Sequence, residues 1–170
     1  MTRIPEITLK EELPEDQQRI FDEIFASRGK MVGPFTFLLH SPEVARRVAH
    51  LGAYLRFETI LSPVERELAI CTAAREHGCD REWRGHSKLA REAGAREEAL
   101  GVIDEKGALD RLTSMEALII GFARELAHEC RVSDATFEAA KARYGNKGVV
   151  ELSTLIGYYT MLAVIFGTSL

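Results

Sequence analysis

The chain of 170 residues holds one close grouping of side chains able to carry protons. It runs Glu67-Leu-Ala-Ile-Cys71, then Gly78-Cys79-Asp80-Arg81-Glu82-Trp83-Arg84-Gly85-His86. Cys79, Glu82 and His86 stand at i, i+3 and i+7. At about 100° per residue they fall within roughly 60° of one another on one helix face. Glu67 lies on the preceding helical stretch, and a short reversal at His77-Gly78 turns its carboxylate toward the same spot. A thiol, two carboxylates and an imidazole converging from two helices can move protons, because an imidazole titrates near working pH.

Each of these residues also has a structural reading. With Cys79 as N-cap, Glu82 is the third helical residue, where a carboxylate reaches back to cap the helix. The helix dipole there favours a thiolate, yet a lone cysteine near a helix end is commonly a small buried residue. A helical histidine is more often a satisfied polar group than a catalyst. Glu67 sits in an apolar turn and needs a partner if buried, either His86 or Arg75. Trp83 reads as packing or as a pocket wall. Cys79, Glu82 and His86 offer three metal ligands at most, and His40, His50, His77 and His128 are scattered, so no metal is expected. Cys71 and Cys79 do not make a C-x-x-C pair, and their spacing does not support a disulfide. Three cysteines without framework spacing point to free thiols in a reducing compartment, hence a cytoplasmic protein.

The elements that must position these groups read as helices throughout, with apolar spacings of three and four rather than two. An extended lead-in over 1–13 offers Ile4, Ile7 and Leu9 for packing. Pro14 opens a helix over about 15–27, ended by Gly29. The aromatic stretch 29–40, broken by Gly33-Pro34, is a loop lining a pocket or an interface. Ser41-Pro42-Glu43 starts a helix to about 57, with Ser41 as N-cap. Ser62 and Glu65 form a capping box for a helix to 76, ended by Gly78. The next helix starts at Cys79 or Asp80 and ends at Gly94. A short helix covers 96–103, and Thr113 with Glu116 boxes a long helix to about 130. Ser133-Asp134 starts another, ending at Gly145, and the last spans about 148–167. That helix is apolar nearly all round, so it is buried in the core or against another subunit. Leu61-Ser-Pro-Val-Glu-Arg-Glu-Leu-Ala-Ile echoes Leu112-Thr-Ser-Met-Glu-Ala-Leu-Ile-Ile, which suggests a duplicated helical hairpin whose second copy lacks the Glu and His.

The chain is 46% hydrophobic and 28% charged, with net charge −4. This fits one domain over 1–170 with a core large enough to need neither disulfide nor metal. No basic stripe marks a nucleic-acid binder. The longest apolar run, 156–166, is too short to span a bilayer, and the N-terminus has no signal-peptide core.

Glu67, eleven residues, Cys79, two residues, Glu82, three residues, His86 resembles the carboxymuconolactone decarboxylase family, which includes the alkylhydroperoxidase D proteins. The peroxidase branch has a second cysteine where this chain has Glu82, so Cys-x-x-Glu-Trp-x-x-His looks like the branch without that pair. Further likeness covers Gly33-Pro-Phe, Leu38-Leu-His-Ser-Pro, Gly52-Ala-Tyr-Leu-Arg-Phe, Ala74-Arg75, Ala90-Arg-Glu-Ala-Gly94, and Glu151-Leu with Leu155-Ile-Gly-Tyr-Tyr. The stretch 1–28 reads as an N-terminal extension and helix.

The resemblance implies an all-α, alkylhydroperoxidase D-like fold of about seven to eight helices. It also implies a homo-oligomer, a trimer or hexamer, with active sites near subunit contacts and a small-molecule substrate. The expected function is acid–base decarboxylation of a small carboxylated lactone or a related aromatic-breakdown intermediate, with no organic cofactor. His86 would donate or shuttle the proton, and Glu67 would hold and polarise it. Glu82 would carry a second proton or orient substrate, and Cys79 and Trp83 would line the pocket. Arg75, Arg81 or Arg84 would anchor a carboxylate. The runner-up is a single-thiol peroxidase or redox protein built on Cys79, because a two-thiol cycle cannot close within the motif. A third reading is a non-catalytic oligomeric binding protein.

Overall fold

The computed structural model describes residues 2–31 and 33–170. Its described residues form eight α-helices and no strand. They are α1 Gln18–Arg28, α2 Phe35–Leu38, α3 Pro42–Phe57, α4 Pro63–Glu76, α5 Asp80–Glu92, α6 Glu97–Asp104, α7 Ser114–Glu129 and α8 Asp134–Ser169. Two compact units result. One takes the chain up to Glu58 with Val164–Leu170, and the other takes Thr59–Ala163.

In the first unit, Ile7 of the lead-in is buried while Leu9 is exposed, so only part of the expected apolar strip packs. The Ile7 amide donates to the Thr36 carbonyl at 2.9 Å, and the Arg3 amide to that of Ser169 at 2.8 Å. Pro14 leads into a 3₁₀ turn, Glu15–Gln17, before α1 begins. The stretch expected as an apolar loop contains the short helix α2, with Phe35, Thr36, Phe37 and Leu38 all buried; Val32 of that stretch lies outside the described residues. Ser41 occupies the N-cap of α3 but makes no side-chain cap bond. The Glu43 carboxylate in that first turn instead takes Arg46 and Arg47 at 2.8 Å each.

The second unit is organised around α4. Small and aliphatic side chains, Leu68 through Ala74, are buried on every face of it, and α5, α6 and α7 pack against it. Both capping boxes form as spaced. The Ser62 amide donates to Glu65 and the Glu65 amide to Ser62, and Thr113 and Glu116 repeat the pattern. Each box carboxylate is also tied to an arginine, Glu65 to Arg143 at 2.9 Å and Glu116 to Arg96 at 2.6 Å.

The reversal between α4 and α5 follows from Gly78. Its φ of 63° lies in the left-handed region, which an L side chain adopts only at a cost. The Cys79 amide then reaches the Ala74 carbonyl at 2.8 Å and the Gly78 amide that of Arg75 at 3.2 Å. These are the two bonds of a Schellman turn. α8 breaks at Gly145, whose φ of 64° and ψ of −178° are open to glycine alone. Three residues on, Gly148 leaves no room for a side chain, since a Cβ there would lie 2.4 Å from Tyr144 Cβ.

Among the described residues, α8 alone has the length and apolar composition to cross a membrane, which the 11-residue run 156–166 did not suggest. Half of its apolar window is buried inside the fold. Leu152, Leu155, Tyr159 and Leu162 face inward while Val150 is 64% exposed, the pattern of a core helix with one open face.

Candidate active site

The Schellman turn swings α5 back along α4 and brings Glu67 to His86. The two atoms Glu67 Oε2 and His86 Nδ1 lie 2.6 Å apart. A carboxylate only accepts, so Nδ1 carries the hydrogen and donates. On the other ring nitrogen, Nε2, Glu82 Oε2 lies at 3.3 Å, one turn back on the same helix. All three side chains are buried. The imidazole is thus held between two carboxylates, tightly from α4 and more loosely from its own helix.

Burial by itself would depress the basicity of His86, but its contacts with Glu67 and Glu82 outweigh that and raise its pKa above the ordinary histidine value. Tyr159 of α8 closes one side of the ring, edge to face, with centroids 4.8 Å apart. Tyr158 packs against Tyr159 in turn at 5.4 Å.

Cys79 is the N-cap of α5 and is buried, with no side-chain cap bond. Burial pushes its thiol pKa up, and the backbone amides of Glu82 and Arg81 offset this only in part. The balance favours the protonated thiol over the thiolate at the helix start. Cys71, Cys79 and Cys130 are all free, and Cys130 is exposed at the end of α7.

Trp83 and Arg75 pair with each other. The Arg75 guanidinium lies 4.5 Å over the indole ring. Its two terminal nitrogens hold Asp80 at 2.7 Å and Asp104 at 2.5 Å. The partner of Glu67 is therefore His86, and Arg75 clamps the α4–α5 turn to α6. Glu82, the other residue with a capping interpretation, is directed at the imidazole.

Among the described residues, no three His, Cys, Asp or Glu side chains converge on a point that would hold a metal ion. Glu67 and Glu82 flank opposite nitrogens of His86, so the three cannot face one ion together.

The arrangement can donate a proton from an imidazolium and restore it through a carboxylate. The spacing of Glu67, Glu82 and His86 foretold this meeting. Tyr159 was missed, because it sits 73 residues beyond His86 with no local pattern linking the two. Its signal was the adjacent pair Tyr158-Tyr159, within the stretch Leu155-Ile-Gly-Tyr-Tyr that carries part of the family likeness.

A family model described as the Carboxymuconolactone decarboxylase family matches residues 42–118. Over that segment, a little under half of its length, the chain is similar to this family. The segment runs from α3 into α7 and contains every one of Glu67, Arg75, Cys79, Glu82, Trp83 and His86, while Tyr159 lies beyond it. No curated protein sequence matches the chain.

Among solved structures, an uncharacterized peroxidase-related protein from Ralstonia eutropha JMP134, described as an alkylhydroperoxidase AhpD core, superposes with a TM-score of 0.78. The two share 17% identity over 99% of this chain and 90% of that one. An uncharacterized peroxidase-related protein from Silicibacter sp. TM1040 gives a TM-score of 0.76 at 15% identity, over 99% of this chain and 93% of that one. These likenesses show the fold: an all-helical, AhpD-like architecture.

Proposed function

We propose that the protein is an acid–base enzyme of the decarboxylase type, acting on a small unsaturated lactone that carries a carboxylate. The observation that supports this reading is the buried imidazole held between two carboxylates. In such a reaction the bond to the carboxylate carbon breaks and carbon dioxide leaves. The electron pair passes into the conjugated lactone, and His86 Nε2 returns a proton to carbon. Glu67 keeps the imidazole protonated at Nδ1 throughout, and Glu82 relays the replacement proton. Cys79, as a protonated thiol, lines the site.

The solved relatives carry peroxidase-related descriptions, which would bring thiol chemistry to Cys79. The raised pKa of that thiol and the carboxylate at the second motif position speak against it. A homo-oligomer belongs to the same reading. Val150 and Met161 leave an apolar strip of α8 exposed, at 64% and 36%, which a second copy would cover; light scattering that finds a stable monomer would remove this part.

The deciding experiment is a proton-NMR turnover assay with γ-carboxymuconolactone, run on the wild type and on His86→Ala. Lactone loss by the wild type alone supports the reading. Consumption of an organic hydroperoxide with dithiol, blocked by alkylating Cys79, would replace it.

A further inference from the structure

We infer that His86 rests as an imidazolium shared by Glu67 and Glu82, that Glu82 is the arm which yields Nε2 to a ligand, and that the ligand group received there is an uncharged carbonyl oxygen rather than a carboxylate. This rests on the acid–base reading above and names the substrate group that Nε2 holds by a hydrogen bond before the proton passes to carbon.

The geometry carries the first step. A neutral imidazole has a single N–H, so it would leave one bare ring nitrogen facing a carboxylate oxygen, acceptor against acceptor. With both carboxylates ionised, the doubly protonated ring is the form that offers a hydrogen to each, Glu67 at 2.6 Å and Glu82 at 3.3 Å. From α4 the ring faces Glu67, with Cys71 one turn further along. From α5 it faces Glu82, with Cys79 at the helix start, and from α8 it faces the ring of Tyr159. Both thiols stay protonated, because burial raises each of them.

The two distances separate the roles of the carboxylates. The short contact comes from another helix and fixes the ring. The longer one comes from the third residue of α5, beside a helix start that has no side-chain cap, and it is the weaker hold on Nε2.

Charge then selects the ligand. Two carboxylates and one imidazolium leave the buried group with one net negative charge. A ligand carboxylate at Nε2 would add a second in a site of low polarisability. Arg75, the guanidinium on the neighbouring turn, already holds Asp80 and Asp104. A carbonyl oxygen accepts the Nε2 hydrogen without adding charge. The carboxylate of a lactone substrate therefore points away from His86.

The test is nitrogen-15 NMR of histidine-labelled protein, with His86 assigned by its absence in His86→Asn. At mildly alkaline pH the wild type is expected to show both ring nitrogens of His86 in the imidazolium range, where a free histidine is neutral. Glu82→Gln is expected to move the titration of His86 to lower pH while Nδ1 stays protonated. A purely capping Glu82 would leave the titration where it was. Millimolar but-2-enolide, a neutral unsaturated lactone, is expected to shift the Nε2 resonance more than Nδ1, and fumarate to shift neither. A neutral His86 at that pH overturns the first step. An unmoved titration in Glu82→Gln overturns the second. A silent Nε2 with but-2-enolide, or a larger response to fumarate, overturns the third. None of these readings needs turnover, so failure of the lactone assay and failure of this inference are separate results.

Discussion

His86 concentrates the chemistry in one ring, and its two nitrogens have unequal partners. Replacing it with alanine is expected to lower lactone turnover by roughly 10²-fold or more, the usual weight of a general acid. Cys79→Ser should keep most activity, as a protonated thiol that only lines the site allows. Steady-state rates on folded variants check both. Glu67→Gln removes the partner that does most to hold the proton, so the alkaline limb of the pH–rate profile should move to lower pH. The same proton is linked to stability. The pKa of His86 is raised on folding, so its contribution is complete below the unfolded value of 6.5 and is lost as pH rises through the folded value. Denaturation midpoints across that window should fall in the wild type and stay flatter in His86→Asn. The identities and spacing of Glu67, Glu82 and His86 were legible from the sequence because all three lie on one helical hairpin. The pairing of Arg75 with Asp80 and Asp104 was not, because it depends on where α6 lands.

At the scale of the helix, glycines decide more than the apolar pattern does. Three of them predict three different outcomes for a change to alanine. At Gly78 a Cβ would meet nothing, but the left-handed backbone of the Schellman turn makes the change cost about 1–2 kcal/mol. Gly85 lies inside α5, exposed and unobstructed, so alanine there should stabilise by up to about 1 kcal/mol. Gly148 is also helical, yet its Cβ would collide with Tyr144 Cβ at 2.4 Å and Ile60 Cδ1 at 2.7 Å. The isoleucine tip can turn aside and the tyrosine Cβ cannot, so alanine there should destabilise by about 1–3 kcal/mol. Urea unfolding of the three variants checks the signs. The first and third changes are opposite to what helix propensity alone suggests. Sequence located the turn at Gly78 and the break at Gly145, since glycine at a helix end has few other uses. It could not foresee the crowding at Gly148, where the kink at Gly145 brings Tyr144 Cβ to 2.4 Å and Ile60, 88 residues earlier, adds a second contact. Nor could it tell that Ser41, an ideal capping residue by type, would leave its helix uncapped.

For the molecule as a whole, the buried box carboxylates set the acid limit. The Arg96 guanidinium holds the carboxyl of Glu116 down to about 2, against an ordinary value of 4.5. A depressed carboxyl adds stability that is present above the ordinary value and is lost as pH falls through the depressed one. Stability should therefore decline across that interval, and Glu116→Gln should flatten the decline while lowering stability at neutral pH. Circular dichroism across an acid titration reads both.

The burial of α4 on every face has a consequence for how the site comes to exist. Its amides are screened from water by α5, α6 and α7, so they can exchange with solvent only when this unit opens in full. The contact between Glu67 and His86 spans only 19 residues and closes a small loop. In a hydrogen-exchange experiment the amides around Glu67 should thus be the last to take up deuterium. On refolding they should be among the first protected, so that the proton-carrying group is assembled before the chain beyond it has found its place.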